Sequence, residues 1–110
     1  MNIEQTVNIL GTEYTVNKLL ERQDEKLKTL AGYIDNTVKK IVIAEVDKQW
    51  DSVEDTEEYE KQVLRHEIIH AFLDESGLRG NSDWARNEEM VDFFAIQFYK
   101  IAKAFKECEC

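Results

Sequence analysis

Residues 63–77 read VLRHEIIHAFLDESG and contain both histidines of the chain, His66 and His70, four positions apart with Glu67 between them. On a helix, positions i and i+4 project from one face a turn apart. Two imidazoles so placed can each offer a nitrogen to one Zn²⁺ at ~2.0–2.1 Å. Glu67 is turned about 100° from His66 by helix geometry, which makes it a poor ligand but places it beside water held by the metal. Zinc lowers the pKa of such water toward ~7, and a carboxylate can take its proton as the water attacks a carbonyl. The spacing therefore fits hydrolysis as well as binding. The competing explanation is a pair of surface histidines on an acidic helix, which leaves the intervening glutamate and the spacing of four unexplained.

Two ligands hold zinc weakly. A third is required, with the fourth position left for water. No further histidine exists, so carboxylates and the terminal thiols are the candidates. Glu88 in NEEMVD (87–92) is favoured, 18 residues after His70 at the expected start of a second helix. Asp92 stands one turn beyond it and can accept the far N–H of a ligand histidine. Glu89 is the rival, turned off that stripe; an acidic residue that does not ligate is still favourable at a helix N-terminus. Cys108 and Cys110 form a terminal CEC, read as a frayed, reduced tail. The alternative is a thiolate folding back onto the metal.

These residues must be held by a fold of limited size. With 110 residues the chain is long enough for one domain, 1–110, and too short for two separate cores. Hydrophobic residues make up 43% and charged residues 34%, as in folded rather than disordered chains. Residues 5–10 and 13–18 alternate in character around Gly11-Thr12 and predict a hairpin. Residues 19–30 predict a short helix. AGYIDNTVKKIVIAE (31–45) predicts two strands joined at Asp35-Asn36-Thr37, the second running from Val38 to Glu45. The period then changes. A helix is expected from about Asp55 to Ser76, stopped by Gly77. A second follows from about Asn87 to Lys106, apolar on more than one face and so expected to pack on two sides. The stripe of Glu88 and Asp92 is expected to continue through Val91, Ala95 and Phe98 into the core. The fold class is α+β: a small antiparallel or mixed sheet, the HExxH helix, then a glutamate-bearing core helix.

The net charge of −9 and the lack of a basic stripe argue against nucleic acid as a partner. The acidic stretch 45–60 is read as a solvated loop and helix start. The longest apolar run, IVIA at 41–44, is far short of the ~20 residues of a membrane span. The N-terminus lacks the pattern of a secretory signal, so a cytoplasmic location is the expectation.

His66-Glu67-Ile68-Ile69-His70 followed by Asn87-Glu88-Glu89-Met90-Val91-Asp92 resembles the HExxH plus NExxxD pattern of the gluzincin zinc metallopeptidases, which include the much larger thermolysin-like enzymes. In length and layout the chain is more similar to the single-domain minigluzincins. Small proteins of phages and bacterial mobile elements carry similar stretches. The resemblance implies zinc-dependent peptide hydrolysis, with His66, His70 and Glu88 as ligands, Glu67 as general base and acid, and Asp92 orienting a ligand. It also implies that an extended peptide adds as a strand along KKIVIAE (39–45). Some members are latent, shielded by chain termini; here the candidate shields are the first few residues and the KECEC tail. Thermolysin-like enzymes use a further histidine or tyrosine to stabilise the oxyanion, and no histidine is left for this. Tyr33, Tyr99, Arg79 and Arg86 are the candidates. Two other classes remain: a regulatory protein of a mobile element that cleaves one partner or uses zinc structurally, and a partner-binding domain without metal.

Overall fold

The computed structural model describes residues 4–46 and 55–110. It is α+β, a four-stranded mixed sheet followed by two long helices. β1 (Glu4–Ile9) and β2 (Thr12–Leu19) form the expected hairpin. Both turn residues have positive φ, Leu10 at 49° and Gly11 at 92°. That is the backbone of a two-residue turn whose twist matches the strands. The chain then makes two short 3₁₀ turns, Glu21–Gln23 and Glu25–Lys28, where a short helix was expected. Leu27 is the buried anchor there, and side-chain contacts from Gln23 and Asp24 to nearby backbone N–H groups favour turns over a continuous helix.

β3 (Gly32–Asp35) and β4 (Lys40–Ala44) complete the sheet in the order β1-β2-β4-β3. β4 pairs antiparallel with β3 and parallel with β2. It starts two residues later than expected, because Val38 is exposed and Lys39 takes a positive φ of 57°. The order corrects the expectation that 39–45 is a free edge. β4 is a central strand hydrogen-bonded on both sides, so it has no edge to offer a peptide. Ile41, Val42 and Ile43 are all buried, as a strand covered on both faces requires. The edge on that side of the sheet is β3.

α1 (Thr56–Glu75) and α2 (Glu88–Glu107) follow. The Asp55 side chain accepts from Glu58 N at the start of α1, and Glu57 and Glu58 suit its positive end. Gly77, with φ of 82°, ends it. Val63, Leu64, Ile68 and Ala71 pack on Ile9, Tyr14, Val16, Ile41 and Ile43 of the sheet. Two polar ties fix α1 on that surface. Glu60, at the end of the acidic stretch expected to face water, is buried, paired with Lys18 at 3.3 Å and accepting from Val46 N at 2.8 Å. Glu75 accepts from Tyr14 Oη at 2.6 Å and pairs with Lys39 at 2.6 Å. These contacts hold the Glu75 carboxyl below its usual range, Lys39 contributing most.

Gly32 sets how close β3 comes to α1. A Cβ added there would lie 2.9 Å from Val63 Cγ1 and 3.1 Å from the Val42 carbonyl oxygen. Gly32→Ala is expected to destabilise the fold by about 1–3 kcal/mol through overpacking. The penalty should shrink in a Val63→Ala background, which removes the nearest atom; urea unfolding of the four-variant cycle measures that coupling.

α2 runs antiparallel to α1, with Ala95 O accepting from Arg65 Nε at 2.6 Å. Its packing is narrower than expected. Val91 and Ala95 are buried, with Leu73 and Ala85 beside Val91, but Phe93, Phe98 and Phe105 are each more than half exposed. The stripe from Glu88 therefore reaches the core at Val91 and Ala95 and leaves it before Phe98. At the C-terminus, Cys108 and Cys110 are exposed free thiols. Far from fraying, the tail closes α2: Cys110 N donates to Phe105 O at 2.9 Å. No helix among the described residues is long and apolar enough to cross a membrane.

Candidate metal centre

The two helices bring the expected ligands together. His66 and His70 project from successive turns of α1, and Glu88 is the first residue of α2, where the Asn87 side chain caps the helix by accepting from Met90 N at 2.8 Å. His66 Nε2 lies 3.1 Å from His70 Nε2 and 3.0 Å from Glu88 Oε2. His70 Nε2 lies 3.2 Å from Glu88 Oε1. Tetrahedral ligands at ~2.05 Å from a zinc ion stand about 3.3 Å apart, so the observed triangle fits one shared cation. Among the described residues, these three form the one group of this kind. Glu89 and both cysteines stand outside it.

Protons give a second test of fit. His66 Nδ1 lies 2.7 Å from Asp92 Oδ1, a contact in which the ring N–H donates to the carboxylate. In neutral His66 that leaves a lone pair on Nε2, aimed at the Glu88 carboxylate, which can only accept. Two acceptors at 3.0 Å need positive charge between them. A second ring proton would supply it for this pair alone, whereas a divalent cation would serve all three ligand atoms at once. Asp92 thus holds the position expected of it, fixing both the tautomer and the ring.

Glu67 faces the same cleft. The cleft encloses about 630 Å³ and is lined by Leu30 to Ile34 on one side, by α1 residues from Tyr59 to His70, and by Arg79, Glu88 and Asp92. That is ample for several residues of an extended chain. Glu67 is 7% exposed, and burial pushes its carboxyl up to about 7, with His66 opposing and Glu88 adding to the rise. The sign of the pH effect follows. Between pH ~4.5 and ~7 the folded, metal-free protein keeps a proton that the unfolded chain has lost, so its stability falls as pH rises through that window. Glu67→Gln should remove this term. In urea unfolding with chelator present, the variant is expected to be more stable than wild type by about 2–3 kcal/mol at pH 8 and by little at pH 5.

The four candidate oxyanion donors separate clearly. Tyr33 lines the cleft, but its hydroxyl donates to Asp24. Burial and then that bond push the Tyr33 hydroxyl up to about 12. Tyr99 is two-thirds exposed, stacks on the Arg65 guanidinium 5.4 Å away, and is not part of the lining. Arg86 is turned to Asp83 and the Arg79 carbonyl. Arg79 lies in the cleft wall, with Nη1 held by both oxygens of Asp74 at 3.1 and 3.2 Å. Asp74 was not anticipated, although a signal existed: it continues the stripe of His66 and His70 by one more turn. The tail lines no part of the cleft, so shielding by it is not seen; residues 1–3, the other candidate shield, lie outside the described residues.

A scan against protein-family models, a search of curated proteins and a search of solved structures each returned no match. The functional reading therefore stands on the site itself.

Proposed function

We propose that the protein is a zinc metallopeptidase of minimal, minigluzincin-like form, hydrolysing peptide bonds in the cleft between β3 and the two helices. The single observation that carries this is the convergence of His66 Nε2, His70 Nε2 and Glu88 within 3.0–3.3 Å, beside the buried carboxyl of Glu67. When bound, zinc polarises a carbonyl and makes water acidic near neutral pH. Everything else falls to the side chains. His66, His70 and Glu88 hold the ion, and Asp92 keeps the His66 lone pair on Nε2. Glu67, buried in the cleft wall beside the ligands, takes a proton from the attacking water and returns it to the departing amine as the C–N bond breaks.

The substrate we propose is an extended peptide. Among the described residues β3 pairs with β4 alone, which leaves the backbone groups of its other edge for an added strand, and Gly32, Tyr33 and Ile34 line the cleft. The test uses protein soaked in zinc and dialysed. We expect about one equivalent of zinc by elemental analysis, and cleavage of a mixed peptide library that stops with 1,10-phenanthroline and returns with added zinc. Less than ~0.2 equivalents bound, or cleavage indifferent to chelator, would contradict the proposal.

A further inference from the structure

We propose that the Arg79 guanidinium is the cleft's oxyanion donor, the group that meets the negative charge developing on the carbonyl oxygen during hydrolysis. The inference rests on the peptidase reading above and names a residue that the spacing of the motifs left unassigned. As the water oxygen bonds to the carbonyl carbon, its proton passes to Glu67 and the carbonyl π pair moves onto oxygen. An N–H donor fixed in advance near that oxygen stabilises the charge; a mobile one does so poorly.

Arg79 has the required chemistry and the required support. Among the described residues it is the one lysine or arginine in the cleft wall. Its Nη1 is tied to both oxygens of Asp74, whose side chain is 1% exposed and which sits one turn beyond His70 on the face that bears the ligands. The backbone of the same residue is tied as well, since Arg86 Nη1 donates to the Arg79 carbonyl. Among the described residues, no protein partner engages Nε or Nη2, and the side chain is about half exposed. A buried aspartate thus orients a guanidinium by one nitrogen while its remaining N–H groups stay available, the arrangement expected of a preorganised donor. The other cleft hydroxyls are poorer candidates. Tyr33 is committed to Asp24, and Tyr59 lies two turns N-terminal to His66 on α1, about 10 Å away along the axis.

Removing Arg79 alone would strand a buried Asp74, so two variants are used: Arg79→Lys, and Arg79→Gln combined with Asp74→Asn. Two readouts are taken on zinc-loaded protein: steady-state cleavage, and calorimetric binding of a phosphinic pseudo-tripeptide, whose tetrahedral anion resembles the charged intermediate. We expect the double variant to lose roughly 10²–10³-fold in kcat with KM little changed, and to lose a similar factor in affinity for the phosphinic peptide, with Arg79→Lys falling between. The inference is overturned if both variants keep kcat and phosphinic affinity within about threefold of wild type. It is equally overturned if the loss falls on KM for peptides with a free C-terminus and spares amidated ones, which would make Arg79 a carboxylate anchor. A comparable loss from Tyr59→Phe in place of Arg79 has the same meaning. Wild-type cleavage that is insensitive to Arg79 sinks this inference alone, whereas a wild type that neither cleaves nor binds the phosphinic peptide sinks the peptidase reading with it.

Discussion

Glu67→Gln is expected to abolish peptide cleavage, by roughly 10³-fold or more in kcat/KM, while zinc stays bound. The substitution is nearly isosteric and leaves His66, His70 and Glu88 untouched, so the cation should be held as before. What disappears is, among the described residues, the one carboxylate of the cleft lining that is buried and not itself a proposed ligand. An amide cannot take the proton of the attacking water, nor deliver one to the amine. Parallel measurement of zinc content and kcat/KM on one cleavable peptide separates the two roles. Equal cleavage by both proteins would remove Glu67 from the chemistry; lost zinc would make it a ligand.

His70→Ala should have the opposite signature. Removing one of three ligands is expected to weaken zinc binding by more than the ~10–100-fold that loss of an outer hydrogen-bond partner costs. The effect appears in stability as well. Zinc at 100 times the wild-type Kd stabilises the fold by about 2.7 kcal/mol, and the same concentration should add less than about 0.5 kcal/mol to the variant. For a chain of this size that is a difference of roughly 10 °C in the zinc-induced rise in Tm. Glu88→Ala should behave like His70→Ala. Glu89→Ala and Cys108→Ser should keep the full rise, because neither residue reaches the triangle. A Tm that zinc raises equally in His70→Ala and wild type would show that the stabilising ion sits elsewhere.

The sites of success and failure in reading the sequence share a pattern. The hairpin at Gly11, the stop at Gly77 and the convergence of His66, His70 and Glu88 are legible because each depends on local geometry: a turn needing positive φ, a helical repeat, a cap at Asn87. The misplacements concern what lies across the fold. The resemblance implies an edge strand at 39–45, whereas the unbroken run Ile41-Val42-Ile43 is what two covered faces demand. Glu60 follows the exposed Asp55, Glu57 and Glu58, and its burial depends on Lys18 from β2 and the Val46 N–H, partners that lie across the fold. Phe98 follows the stripe of Val91 and Ala95, yet lies beyond the buried stretch of α2 and is exposed. Arg79 could not be chosen over Tyr33, Tyr99 and Arg86 by spacing, since the choice depends on Asp74 being buried beneath it.

One experiment bears on the central claim more directly than any rate. Crystals of zinc-soaked protein, measured on either side of the zinc absorption edge, give a map in which only the ion appears. The prediction is one strong peak bonded at ~2.0–2.2 Å to His66 Nε2, His70 Nε2 and a Glu88 carboxylate oxygen, with Glu67 near but unbonded. A map without a peak between these side chains, or with its main peak at Cys108 and Cys110, would contradict the account.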